Sequence, residues 1–285
     1  SGGSSYNLTE LESYISSNSL TNAQGLAVLM HGSSSGQDLT DANTFVTALN
    51  NFESTGVMVW SAANDVGESD ASAMAGLPEL FPDLGEAWIV ANVVQYTGDS
   101  DLSNATSSEF TLKGNKCGST AEYCLSVDGY DVYAATYLDS GTSQYNNSRI
   151  SYGSSWSAPM VSGGVALVAQ AFPNHTPEQL VDRILASANN VWFTPEGNTT
   201  FTTHGNAVKH GYHSTWGHGI PDFYAALSPI TSDGNPASMS LYTSSSIQSS
   251  EAATLGSSHI TPSGSFGNAI SHGLIGEVGY AYDEL

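Results

Sequence analysis

Apolar positions along this chain gather into short, nearly unbroken runs, parted by polar stretches rich in Gly, Ser, Asp and Asn. GLAVLMHG (25–32), VMVWSAA (57–63) and EAWIVANVVQY (86–96) are runs of this kind, and they predict strands buried on both faces. NTFVTALNNFESTG (43–56) is instead apolar at helical spacing and stops at Gly56, and residues 8–24 carry a weaker helical pattern. SSSGQDLTDAN (33–43) reads as a loop leading into a helix cap. Wholly apolar strands alternating with a helix predict an α/β fold whose mostly parallel sheet is covered on both faces. Residues 97–150 shorten into β-like pieces, of which CLSVDGYDVYAATY (124–137) is the clearest. A helix over 155–171 follows, then a second one from Pro177, with Thr176 as its cap and Glu178 in its first turn. Composition turns polar and Ser-rich near the end, which divides the chain into a folded unit, 1–228, and a linker or extended tail, 229–285.

Charge changes the picture by exclusion. Five Lys and Arg stand against 27 Asp and Glu, a formal net charge of −22, although only 11% of residues are charged. Such a surface repels phosphate backbones and anionic membranes, so nucleic acid is excluded as a partner class. No apolar run reaches membrane-spanning length. Cys117 and Cys124 flank a polar loop with no metal-ligand spacing, and a small disulfide ring is the reading that suits an exported protein. N-x-[ST] sequons stand at Asn7, Asn104, Asn146, Asn174 and Asn198, several of them expected by chance in a chain of this composition.

Candidate chemistry centres on GSSWSAPMVSGG (153–164). A helix N-terminus offers unpaired N–H groups and partial positive charge, which favour a negative charge developing beside it. Pro159 is expected within the first helical turn, where it displaces no hydrogen bond, and Gly163 and Gly164 allow close packing on a sheet. One serine at such a place is most simply a cap. The whole pattern, G-[ST]-S-x-x-x-P followed by a small-residue run, resembles the nucleophile motif of subtilisin-like serine proteases, and the resemblance implies Ser155 as nucleophile. VMVWSAANDVG (57–67) resembles the strand that ends in that family's oxyanion asparagine, implying Asn64 as a donor beside the Ser155 backbone N–H. LAVLMHGSSSG (26–36) resembles the strand and loop lining the S1 side of the cleft, implying Ser33, Ser34 and Gly36 as substrate-binding residues. CLSVDGYDVYAAT and GHGIPDFYAAL (217–227) follow in the family's order, so the resemblance is collinear over about 200 residues. It implies a three-layer subtilisin-like fold, here the C-terminal part of the peptidase domain with its N-terminal part missing. By texture the chain is similar to bacterial subtilases of autotransporter type, secreted or held at the cell surface, and SFGNAISHGLIGEVGYAYDEL (265–285) resembles their linker to an outer-membrane barrel. Met160 stands where the family usually has histidine.

The family's D-[ST]-G and H-G-T-H contexts do not occur ahead of Asn64. Asp139-Ser-Gly141 carries the first motif's letters in the wrong place, and His31-Gly32 copies half of the second. A serine without a base is a feeble nucleophile, so this chain alone is expected to be inactive and to need an N-terminal fragment carrying Asp and His in order to cleave a protein or peptide substrate. Two other readings stand beside this one. Gly32-Ser-Ser-Ser-Gly36 matches G-x-S-x-G, the nucleophile elbow of α/β-hydrolases, with Ser34 as nucleophile. A non-catalytic surface protein, assembling with its own copies on a subtilase scaffold, is the second. His204, His210, His213 and His218 lack metal-site spacing and read as packing or surface residues. Calcium at Asp65, Glu68 and Asp70 is compatible with the family, but the acids are generic.

Overall fold

The computed structural model describes residues 6–98, 102–137, 145–149, 152–204 and 207–228. Helices α1 (Leu8–Ser17), α2 (Asn22–His31) and α3 (Gly36–Glu53) precede strand β1 (Met58–Ser61). Helix α4 (Leu77–Leu80), β2 (Trp88–Tyr96), β3 (Phe110–Leu112) and β4 (Cys124–Asp128) follow, then a pair of antiparallel strands, β5 (Tyr133–Tyr137) and β6 (Tyr145–Arg149). Helices α5 (Ser154–Ala171) and α6 (Pro177–Ala186), the antiparallel pair β7 (Gly197–Phe201) and β8 (Val208–Tyr212), and α7 (Phe223–Ala226) complete the unit.

β2 organises the fold. It pairs in parallel with β1 and β4, and its far end pairs antiparallel with β3. Because side chains alternate along a strand, Trp88 and Val90 face one way, packing with Leu26, Ala42 and Leu49 of α2 and α3. Ile89 and Ala91 face the other way, onto Val161 and Val168 of α5 and Leu180 and Ile184 of α6. Helices, sheet and helices form three layers, the α/β architecture expected. Each fully buried aliphatic side chain here contributes about 1.5–3 kcal/mol.

Two expectations need correction. GLAVLMHG is not a strand but the body of α2. A short apolar run has no period of its own, and local chemistry decides the matter. Thr21 Oγ1 accepts the Gln24 N–H at 3.2 Å while Gln24 Oε1 accepts the Thr21 N–H at 2.9 Å, a capping box that starts a helix. Gly32 at φ 84° then ends it. The helical pattern of residues 8–24 is also broken, at Asn18–Thr21, where Ser19 adopts φ 53°. The loop before α3 is correspondingly short, because that helix already begins at Gly36.

Candidate active site

Two chain segments converge where β1 and α5 meet. Beyond β1 the Ala62 N–H still bonds Ala91 O at 2.9 Å, and then Ala63 takes φ 97°. That conformation is strained for a residue with a side chain, and it turns Asn64 out of the sheet into an exposed position. Asn115, 1% exposed, braces the turn: its N–H donates to Ala63 O, its Oδ1 accepts the Asp65 N–H at 2.8 Å, and its Nδ2 donates to Asp70 O at 2.8 Å. Gly114 lies so close that any side chain there would collide with the Ala63 carbonyl.

On the other segment, the Gly153 N–H donates to Gly129 O at 3.2 Å, which sets the entry to α5. A side chain on Gly129 would meet Ser157 Oγ at 2.6 Å and Gly153 O at 3.0 Å, so the turn after β4 requires glycine. Ser154, wholly buried, then clasps the asparagine. Its N–H donates to Asn64 Oδ1 at 2.7 Å, its hydroxyl donates to the same oxygen at 3.0 Å, and that hydroxyl accepts the Ala63 N–H at 3.3 Å. Two donors on Oδ1 define the orientation of the carboxamide, because the flipped amide would set donor against donor. Asn64 Nδ2 is left with no partner among the described residues and stands available as a donor.

Ser155 is the next residue, exposed and in the first turn of α5. The unpaired N–H groups of that turn and the helix dipole favour negative charge beside it. Pro159 is not in the first turn as expected but is the sixth helical residue. Its missing N–H would have bonded Ser155 O, so the nucleophile candidate's own carbonyl is released from the helical ladder. The structure thus brings Ser155 and Asn64 together through Ser154, a residue that sequence reasoning treated only as an alternative cap. Tyr130 and Tyr152, stacked at 5.5 Å with Lys113 over the Tyr130 ring at 4.7 Å, flank the same turn and carried no signal in the sequence.

Ser33 and Ser34 are half-buried in the turn between α2 and α3, and Gly36, exposed, is the first residue of α3. Among the described residues no hydrogen bond joins them to Asn64 or Ser155. A nucleophile elbow requires a strand leading into the serine; here a helix does, so the geometry of that rival reading is absent at Ser34. His31 ends α2 and is exposed, and among the described residues no histidine bonds Ser155. Asp139-Ser-Gly141 and the tail 229–285 lie outside the described residues.

The four histidines between 204 and 218 are structural. His204 Nε2 bonds Gln179 O at 2.9 Å, and His213 faces Glu196 at 3.4 Å. His210 and His218 are buried ring to ring, with Nδ1 atoms 2.8 Å apart, while their Nε2 atoms bond Ala188 O at 2.9 Å and Glu122 O at 2.8 Å. Burial pushes both imidazoles below the usual histidine value. Among the described residues no three His, Cys, Asp or Glu converge as a metal site. Asp70 is already committed to four donors, from Thr9, Ala71 and twice from Ser119, which occupies both of its oxygens and does not suit a calcium ligand, while Glu68 accepts from Asn7 Nδ2. Cys117 and Cys124 are joined in a disulfide, with Cα atoms 5.9 Å apart.

Comparison with known proteins adds the family. A 150-residue stretch is 29% identical to an extracellular serine protease of Serratia marcescens, covering 47% of this chain and 13% of that protein's length. The chain therefore spans a small part of this relative. Among solved structures, fervidolysin from Fervidobacterium pennivorans, described as a keratinolytic enzyme related to subtilisin, matches 68% of this chain and 25% of its own at 21% identity and a TM-score of 0.40. The prenylagaramide maturation protease PagA matches 67% of this chain and 55% of its own at 17% identity, also with a TM-score of 0.40. Residues 4–219 match the profile of the subtilase family, most of the described chain. With that span covered, the chain belongs to the subtilase family.

Proposed function

We propose that this chain contributes the nucleophile and the oxyanion donors of a secreted serine endopeptidase, with the general base and its carboxylate partner arriving on an N-terminal polypeptide. Ser155 Oγ attacks the scissile carbonyl of a peptide as the histidine takes its proton; the C–N bond breaks and the histidine gives that proton to the leaving amine, and water, deprotonated by the same histidine, then hydrolyses the acyl-enzyme, releasing the acid and returning the proton to Ser155. The tetrahedral oxyanion accepts hydrogen bonds from the Ser155 N–H and from Asn64 Nδ2. The observation that carries this reading is the Ser154 clasp, which holds Asn64 Oδ1 at 2.7 and 3.0 Å and so leaves Nδ2 open beside an exposed serine. Subtilases are serine endopeptidases as a family, which supports the reaction class. The extracellular relative and the disulfide support secretion.

The test is labelling by a fluorophosphonate with the adduct located by peptide mass mapping. Modification of Ser155 in the presence of the N-terminal polypeptide, and not in its absence, is the expected result. Modification at Ser34, or none at Ser155 in a stable complex, would refute the assignment. The second reading, a non-catalytic scaffold that assembles with its own copies, draws on the exposed apolar residues of α5, Met160 and Leu167. It requires concentration-dependent self-association without labelling.

A further inference from the structure

The chain holds five cationic side chains against 27 acidic ones, and their surroundings differ. Arg183 is wholly buried on two backbone carbonyls. Lys116 lies in the field of Glu196, Lys209 stands exposed on β8, and the side chain of Arg149 lies outside the described residues. Lys113 is the cation at the candidate site. Its ammonium sits over the Tyr130 ring, 4.7 Å from the centre, and among the described residues no carboxylate pairs with it.

Backbone contacts set this position. The Lys113 N–H donates to Val93 O at 2.9 Å, and the next residue, Gly114, packs so closely that a side chain there would come within 3.2 Å of Asn64 Cα. The Cα atoms of Lys113 and Asn64 are therefore within about 9 Å of each other. Tyr130 follows Gly129, whose carbonyl accepts the Gly153 N–H at 3.2 Å, and Tyr152 precedes Gly153. The two rings stack at 5.5 Å, and Tyr152 is 40% exposed. Lys113, Tyr130 and Tyr152 thus form one row from three chain segments, each a single residue away from a group that shapes the Asn64 turn or the entry to α5.

Such a row has a definite chemistry. The ring faces offer an apolar bed, and the ammonium offers three donors and a full charge that only a π-face holds in place. An extended peptide advances about 3.3–3.6 Å per residue, so a side chain within about two residues of a carbonyl held at Asn64 can reach that ammonium. Two effects then compete. The net charge of −22 repels an acidic peptide at long range, but exposed charges beyond about 8 Å are largely screened at physiological salt. A pair in contact at Lys113 lies inside that length, so the local attraction wins.

We infer that Lys113 is a specificity-determining residue, selecting an Asp or Glu side chain within about two residues of the scissile bond, with Tyr130 and Tyr152 as the bed for that side chain's stem. The inference rests on the function proposed above and adds the substrate class.

The probes are two dye-labelled, alanine-rich hexapeptide amides that differ only in one central residue, Glu or Gln. Fluorescence anisotropy reads their binding to the full chain and to the complex proposed above, and fluorophosphonate labelling reads Ser155 in that complex. The Glu peptide is expected to bind about three- to fivefold more tightly than the Gln peptide at about 0.15 M salt. Lys113→Met, which keeps a stem over Tyr130, is expected to abolish the difference, and Lys113→Arg to keep it. Lys209→Met removes the same charge from an exposed position on β8 and is expected to leave the difference intact. Equal binding of the two peptides, binding of neither, a difference that survives Lys113→Met, or one that Lys209→Met removes as well would each overturn the inference; with Ser155 labelled, the proposed function would still stand. A difference that depends on Lys113 without labelling of Ser155 would keep the recognition of acidic peptides and overturn the function.

Discussion

The Ser154 clasp yields a prediction that depends on no partner and no substrate. Ser154→Ala removes one hydroxyl that makes two hydrogen bonds, to Asn64 Oδ1 at 3.0 Å and from the Ala63 N–H at 3.3 Å, at a position with no solvent access. Each bond contributes about 1 kcal/mol net, and the half-buried Ala63 N–H loses its acceptor, so the expected destabilisation is about 2 kcal/mol. Asn64 Oδ1 keeps the Ser154 backbone N–H at 2.7 Å, so the carboxamide loses one of two restraints. Urea unfolding followed by tryptophan fluorescence measures the cost, and a cycle of Ser154→Ala, Asn64→Ala and the double variant isolates the bond between the two side chains at about 1 kcal/mol. A cost below about 0.5 kcal/mol, or a coupling indistinguishable from zero, would show that the hydroxyl does not bridge the two segments and that the orientation of Asn64 has another origin.

Four further outcomes follow from the same geometry. In the complex proposed above, Asn64→Leu is expected to lower kcat about 100- to 1,000-fold with little change in KM, since on that proposal the lost donor acts on the oxyanion; a loss confined to KM would contradict that role. The His210–His218 pair has room for one proton between its Nδ1 atoms, because both Nε2 atoms face carbonyl oxygens, so the folded pair binds at least one proton fewer than the unfolded chain below the usual histidine value of about 6.5. Stability contributed by the pair is therefore complete above that pH and falls by at least about 1.4 kcal/mol per pH unit as pH drops from there toward the depressed folded values, about 4 for His210 and about 3 for His218; NMR titration of the two rings checks it, and ordinary titration of both near pH 6.5 would refute it. Gly164→Ala sets a methyl into the Phe223 ring where α5 crosses α7, and a cost of about 1–3 kcal/mol in urea unfolding is expected. Arg183→Met should cost about 3 kcal/mol or more, because the wholly buried guanidinium donates to Ala226 O at 3.0 Å and Ser228 O at 2.9 Å and covers the Phe172 ring at 4.0 Å; thermal unfolding at fixed pH reads it.

Legibility in the sequence followed the range of the interaction. The body of α3 and α6 could be read because each carries a helical period or a cap within its own window, as in the capping box of Thr176 and Gln179, whereas β1 and β2 were legible as apolar runs. Helix α2 was misread because LAVLM is compatible with strand or helix, and the deciding Thr21–Gln24 exchange lies at the margin of the apolar run. Arg183 gave no sign of being buried: an arginine in an amphipathic helix is ordinarily a surface residue, and only the carbonyls at the end of α7 make it otherwise.

For the site, the sequence alone determined the residue types and their order, Asn64 at a strand end and Ser155 at a helix mouth, because these depend on motifs confined to about ten residues each. Only the tertiary structure decided that the two sites meet, that Ser154 sets the carboxamide's direction, and that Ser33 and Ser34 sit between helices. The physical reason is sequence separation. The bonds from Ser154 to Asn64 and Ala63 span about ninety residues, and their existence depends on how β1 and α5 pack, a property no local window contains.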